Sequence, residues 1–212
     1  MPVTMSYAVL ASLFVSALLV SNIAATKLIA VGVGSWTLIF DGGAVLFPLT
    51  YVLGDALAEL YGFARTRVVI LLGLLVSVVA SAVLLAVQFA PPAAEYAHQA
   101  AFEAVLGFVP RIVVASLVAY LVGQLLNAYV LVKIKARHVG SPLWIRLLGS
   151  SAVGEGADTL VFCTIAFAGV LTGPNFWNYV LVGYLYKMAV ETLLLPVSYA
   201  VIARLRKLDS DT

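Results

Sequence analysis

The chain has 212 residues, 63% of them hydrophobic and only 10% charged, with a formal net charge of +2 and a mean hydropathy of +1.09. So few charges cannot cover the surface of a soluble domain of this length, and so small a net charge argues against a nucleic-acid partner. What remains is a protein of the lipid bilayer.

A bilayer crossing takes about 20 mostly apolar residues. Six stretches qualify, at about 6–26, 43–62, 67–90, 108–132, 150–171 and 179–203. The expected fold is an all-α membrane protein, a bundle of six transmembrane helices forming a single integral domain over 1–212. The first stretch lacks a basic leading region and a small-residue cleavage site, so it reads as a retained span and not a signal peptide. The second runs from Phe47-Pro48 to Tyr61-Gly62 and carries Asp55 and Glu59 one helical turn apart. The third places Gly73, Ser77 and Ser81 at i+4 spacing, a small-residue face on which another helix can pack closely, and stops at Ala90-Pro91-Pro92-Ala93. The fourth begins near Arg111 and carries Ser116, Tyr120, Gln124 and Asn127; the fifth carries Glu155 and Asp158 and stops at Thr172-Gly173-Pro174-Asn175; the sixth carries Tyr184, Lys187 and Glu191.

The loops orient the bundle. Arg65, Arg67, Lys133, Lys135, Arg137, Arg146, Arg204, Arg206 and Lys207 fall on one side, nine of the 12 basic residues. The positive-inside rule puts that side, with both termini, in the cytoplasm. Cys163 is the only cysteine, and His98 and His138 lie in loops, so neither an intramolecular disulfide nor a metal site is expected, and no motif asks for a cofactor. Asn22 and Lys27 close the first span as Asn127 and Lys133 close the fourth, and the second and fifth both carry a carboxylate pair. This faint echo suggests a 3+3 inverted repeat, an arrangement common among secondary transporters.

Charges inside spans are the informative feature. Each costs roughly 2.5–3.5 kcal/mol at a helix centre on insertion scales, so such residues face a bundle interior or a cavity. Residues at i+3, i+4 and i+7 share a helix face, which aligns Tyr51, Asp55 and Glu59; Tyr120, Gln124 and Asn127; Ser151, Glu155, Asp158 and Phe162; and Tyr184, Lys187 and Glu191. The bland reading is that these groups only satisfy one another, Lys187 pairing with Glu191, Asp55 or Asp158. Five carboxylates (Asp55, Glu59, Glu155, Asp158, Glu191) against one lysine inside the spans exceed what pairing explains, and favour a site for a polar ligand or ion.

The chain resembles the queuosine precursor transporter family, within the broader group of vitamin uptake transporters. The resemblance rests on Ser21-Asn22, Phe47-Pro48 with Asp55, Arg111 followed by Ala115-Ser116, Ala119-Tyr120 and Gly123-Gln124, then Ser151, Asp158-Thr159, Phe162, Ile165-Ala166-Phe167, Lys187 and Pro196. It implies a bacterial inner-membrane importer of the deazaguanines preQ0 and preQ1, or of queuine, with Asn22, Asp55, Arg111, Gln124, Asp158, Thr159 and Lys187 at the centre of the motif. A deazaguanine offers a ring N–H beside an exocyclic amine, which one carboxylate accepts in bidentate fashion; Asp55 and Asp158 are the candidates. Gln124 and Asn127 offer a donor and an acceptor on one amide, and Tyr51, Tyr120, Phe162 and Tyr184 offer rings for stacking. Glu59, Glu155 and Glu191, which stand outside that motif, are candidate coupling or gating groups together with Arg111, for which an interfacial anchor is the alternative.

The expected partners are a small deazapurine and the lipid bilayer, with no nucleic acid; a homodimer and a separate energising subunit both stay open. The chain has no GxxxxGK[ST] nucleotide-binding motif of its own. The alternative within transport is a substrate-binding subunit of a multi-component vitamin transporter, or a carrier of another purine-like micronutrient. An intramembrane aspartyl protease would use Asp55 and Asp158 as a dyad, but the run Gly154-Glu155-Gly156-Ala157-Asp158 is not the glycine–aspartate pattern of such enzymes.

Overall fold

A computed structural model of the protein describes residues 5–137 and 143–210, without the side chains of residues 131, 135–137, 143–148 and 206–210. The side chains of Lys135, Arg137, Arg146, Arg206 and Lys207, and all of His138, therefore lie outside the described residues. The elements run α1 (Met5–Ala24), a hairpin of β1 (Leu28–Val33) and β2 (Trp36–Asp41), a 3-10 turn (Gly42–Val45), α2 (Phe47–Tyr61), α3 (Phe63–Phe89), α4 (Gln99–Leu106), α5 (Val109–Arg137), α6 (Leu143–Phe167) and α7 (Gly173–Ser210). By length and composition, four helical stretches among the described residues suffice to cross a membrane: Met5–Ala24, Phe63–Phe89, Gln99–Ile134 and Gly173–Leu205.

The remaining two expected spans look different. α2 has 15 residues, a rise of about 22 Å against a hydrocarbon core of about 30 Å. Its start is set by Pro48 in the first turn, where the missing N–H costs nothing. Its end is set by Gly62, at φ 80° and ψ 162°, a conformation that glycine tolerates and other residues do not. α6 has 25 residues and is long enough to cross, but carries Glu155 and Asp158 mid-length.

Two connections hold more structure than the sequence reading assigns them. Residues 28–41 form the hairpin, whose Gly34 is at φ 61° with no non-glycine residue at positive φ among the described residues. That sign pattern belongs to a type II′ turn, which matches the twist of paired strands. Residues 99–106 form α4. α7 also begins earlier than expected, at Gly173, because Pro174 in a first helical turn starts a helix as readily as it stops one.

The described residues divide into two compact units. The first holds residues up to Leu28, Asp41–Val113 and those from Ala189 onward; the second holds Ile29–Phe40 and Val114–Met188. In the first unit, Leu10 and Phe14 of α1, Leu53, Ala56 and Leu57 of α2, Val69 of α3 and Ile202 of α7 form an apolar core. The small-residue face of α3 is buried as expected: Gly73, Ser77 and Ser81 are all covered, and a Cβ on Gly73 would come within 2.9 Å of the Leu18 side chain of α1. Gly42 fits for a similar reason, since a Cβ there would lie 2.5 Å from the Ala24 carbonyl. In the second unit, the Asn178 side chain of α7 clamps β2. The Ile39 N–H donates to Asn178 Oδ1 at 3.0 Å, and Asn178 Nδ2 donates to the Thr37 carbonyl at 2.8 Å. These backbone groups, two residues apart, share one edge of the strand, so the amide stands where a third strand would.

Candidate functional site

The second unit brings three helices to one charged cluster. Glu155, Asp158 and Thr159 lie within one turn of α6, and the i+3 and i+4 spacings put both later residues on the face of Glu155. α7 supplies Lys187, whose Nζ donates to Asp158 Oδ2 in a short charged hydrogen bond and lies 3.5 Å from Glu155 Oε2. Side-chain exposures of 22% for Lys187, 25% for Asp158 and 35% for Glu155 make this a half-buried ion triad. Of the three partners that the bland reading offers Lys187, the structure pairs it with Asp158, with Glu155 beside it.

Glycines make the approach possible. A Cβ on Gly123 of α5 would meet Asp158 Cβ at 2.9 Å and the Gly154 carbonyl at 3.1 Å; one on Gly154 would meet Asn127 Cβ at 2.8 Å and the Gly123 carbonyl at 3.0 Å. α5 and α6 thus touch backbone to backbone beside Asp158 and Asn127. On the α7 side, the Tyr184 ring covers Gly156 at 3.6 Å, and Gly183 faces the Thr159 methyl at 3.5 Å. Phe162 packs on Phe167, and Phe167 on Tyr179, both edge-on.

Three buried polar atoms at this crossing have no hydrogen-bond partner among the described residues: Asn127 Oδ1, Thr159 Oγ1 and Glu155 Oε2. Thr159 is only 3% exposed. Glu155 Oε2 keeps its ion contact with Lys187; buried polar groups are nearly always bonded, so the oxygens of Thr159 and Asn127 mark the place where something else binds. Gln124 is exposed and Tyr120 half-buried, so the expected stripe on α5 divides: Asn127 turns to α6, and Gln124 does not lie in the packed interior.

The first unit holds the other expected residues in separate pairs. Asp55 Oδ2 accepts a 2.8 Å hydrogen bond from Ser198 Oγ of α7. Asn22, buried on α1, donates through Nδ2 to Ser77 Oγ of α3 at 3.2 Å, and Ser77 in turn donates to the Gly73 carbonyl. This gives Asn22 the work of fastening two helices. Tyr51 packs by its ring on Phe47, and the Arg111 guanidinium lies 5.5 Å from the centre of the Phe108 ring. Glu59 is exposed and Glu191 half-buried. Among the described residues, no group of three or more histidine, cysteine or acidic side chains is placed to hold a metal ion. Ser198, Asn178 and the Gly123–Gly154 contact go beyond the sequence expectations, as does the hydrogen bond from Asn22 to Ser77, a residue expected only to pack; of the first three, only the glycines, read as a small-residue face like that of the third span, carry a signal that would have pointed to them.

Several helices of spanning length, with charged side chains joined between helices, define a multi-pass membrane protein. Residues 41–201 match the family described as "Putative vitamin uptake transporter"; the chain belongs to that transporter family. It is also 35% identical over 78 residues to a protein of Bacillus subtilis (strain 168) described as "Probable queuosine precursor transporter". That stretch covers 36% of this chain and 34% of the relative, so the match spans about a third of the relative's length. No solved structure matches the chain.

Proposed function

We propose that the protein imports queuosine precursors, 7-deazaguanine bases such as preQ0 and preQ1, across the bacterial inner membrane. The name of the Bacillus subtilis relative supports this substrate class. The observation that carries the site is Asp158, held by Lys187 through Oδ2 beside the unpartnered oxygens of Thr159 and Asn127. The carboxylate would accept the ring N–H and exocyclic amine of the base. Lys187 would then donate to the base carbonyl, with Thr159 and Asn127 completing the polar shell and Tyr184 and Phe162 lining the flat faces. Asp55, with Ser198, is the second carboxylate of the reading. Six spans, both termini in the cytoplasm and an inverted relation between the first and last three spans complete it.

The test is the queuosine content of tRNA in a bacterial host lacking its own precursor synthesis and importer, fed each base at low concentration. Expression of this chain restores queuosine; Asp158→Asn removes the restoration while membrane insertion stays normal. Full restoration by the variant refutes the assignment of Asp158. Restoration only with a co-expressed energising module would make the chain a substrate-binding subunit.

A further inference from the structure

The triad has a charge left over. Asp158 and Lys187 balance one another through a direct hydrogen bond. Glu155 shares the same ammonium only through a 3.5 Å ion contact, and its Oε2 is sealed from solvent with no hydrogen bond among the described residues. The side chain as a whole is nevertheless 35% exposed, so one carboxyl oxygen is closed off while part of the side chain stays uncovered. One turn along the same face, the Thr159 hydroxyl is buried and unpartnered. Among the described residues, the charged groups facing Glu155 are Lys187 from α7 and Asp158 from its own helix; α5 places Asn127 and Gly123 against the neighbouring Gly154, and α7 also lays the Tyr184 ring over Gly156.

Two carboxylates against one ammonium leave one negative charge, and carrying it through a lipid-bounded site is costly. A single proton removes it. We infer that Glu155 is the coupling residue of import, binding one proton per transported base. This rests on the transport reading above but adds the driving ion and its seat. The step is balanced: an O–H bond forms on the Glu155 carboxylate with a proton from external water, and the same bond breaks to release the proton to cytoplasmic water, with no change of oxidation state. Glu155 acts through the charge balance of the cluster and not by touching the base.

The experiment uses the full chain in lipid vesicles with radiolabelled preQ0 and the membrane potential clamped at zero. Two quantities are read: exchange of base at equal pH on both sides, and accumulation driven by a gradient of about one pH unit, alkaline inside. One proton per neutral base predicts about tenfold accumulation from that gradient. Wild type is expected to show both. Glu155→Gln is expected to keep exchange and lose accumulation, falling to about onefold, whereas Glu155→Asp, which retains a titratable carboxyl, keeps both. Accumulation by E155Q at the wild-type level, or accumulation by wild type that follows sodium and not pH, overturns the inference. Absence of exchange in wild type rejects the substrate instead. In that case infrared spectroscopy without substrate decides: a carboxylic-acid band that grows on acidification in wild type and is missing from E155Q supports the proton seat, and identical bands in both overturn it.

Discussion

Among the described residues Lys187 is the single cation of the α6–α7 cluster, and its removal tests the whole arrangement. Lys187→Met keeps an unbranched side chain only one atom shorter and deletes its charge. Breaking a buried ion pair by removing one partner costs about 3–5 kcal/mol, because the other charge is stranded; exposed pairs contribute about 0–1 kcal/mol. With 22–35% exposure across the three side chains, the expected loss lies between those limits, at about 1–3 kcal/mol. At about 2–4 °C per kcal/mol for a chain of this size, the melting temperature of the purified protein in detergent should fall by about 2–12 °C. The double variant Lys187→Met/Asp158→Asn removes the closest stranded carboxylate and should recover at least half of that loss, while import stays abolished because Asp158 is gone. The reasoning is refuted if K187M melts with wild type, or if the double variant melts no higher than K187M. Either result would mean that the lysine is not what balances Asp158.

Gly154→Ala places a methyl 2.8 Å from Asn127 Cβ and 3.0 Å from the Gly123 carbonyl, so α5 and α6 must separate, at about 1–3 kcal/mol; Gly149→Ala, whose nearest neighbour is the flexible tip of Ile134 at 3.4 Å, should melt within about 2 °C of wild type, and equal losses for the two would discount the helix contact. Asn178→Ala removes both hydrogen bonds to the edge of β2, about 1–3 kcal/mol together. Hydrogen exchange at the Ile39 amide should then accelerate about tenfold or more, and unchanged protection would show that the strand does not depend on the clamp.

The long apolar helices were legible because length and hydropathy alone define them: α1, α3 and α5 begin within a few residues of the expected positions. The Lys187–Asp158 pair was legible only as one of three possibilities, with Glu191 and Asp55, and the fold decided among them. A lone lysine among intramembrane carboxylates has few partners, and helical spacing put Asp158 on an inward stripe. The hairpin was hidden because alternation has no contrast in a segment where nearly every residue is apolar, such as Leu28-Ile29-Ala30-Val31-Gly32-Val33. Ser198 was hidden differently: a serine in an apolar helix has no pattern of its own, and only the fold brings it to Asp55. Gly173-Pro174 reads equally as the end of one helix or the start of the next. The polar stripe on α5 overstated its unity, since helical spacing says which residues share a face but not which part of that face a neighbouring helix covers.

The clamp on β2 also bears on how the chain is made. Asn178 follows Ile39 by 139 residues. At about 5–20 residues per second, a ribosome needs about 7–28 s to travel between them. An isolated two-stranded hairpin is at best marginally stable in water, so residues 28–41 are expected to stay loosely paired during that interval, while the helices from α2 to α6 are synthesised. The hairpin is thus among the first elements translated, and the clamp that secures it waits for the N-terminal turn of α7.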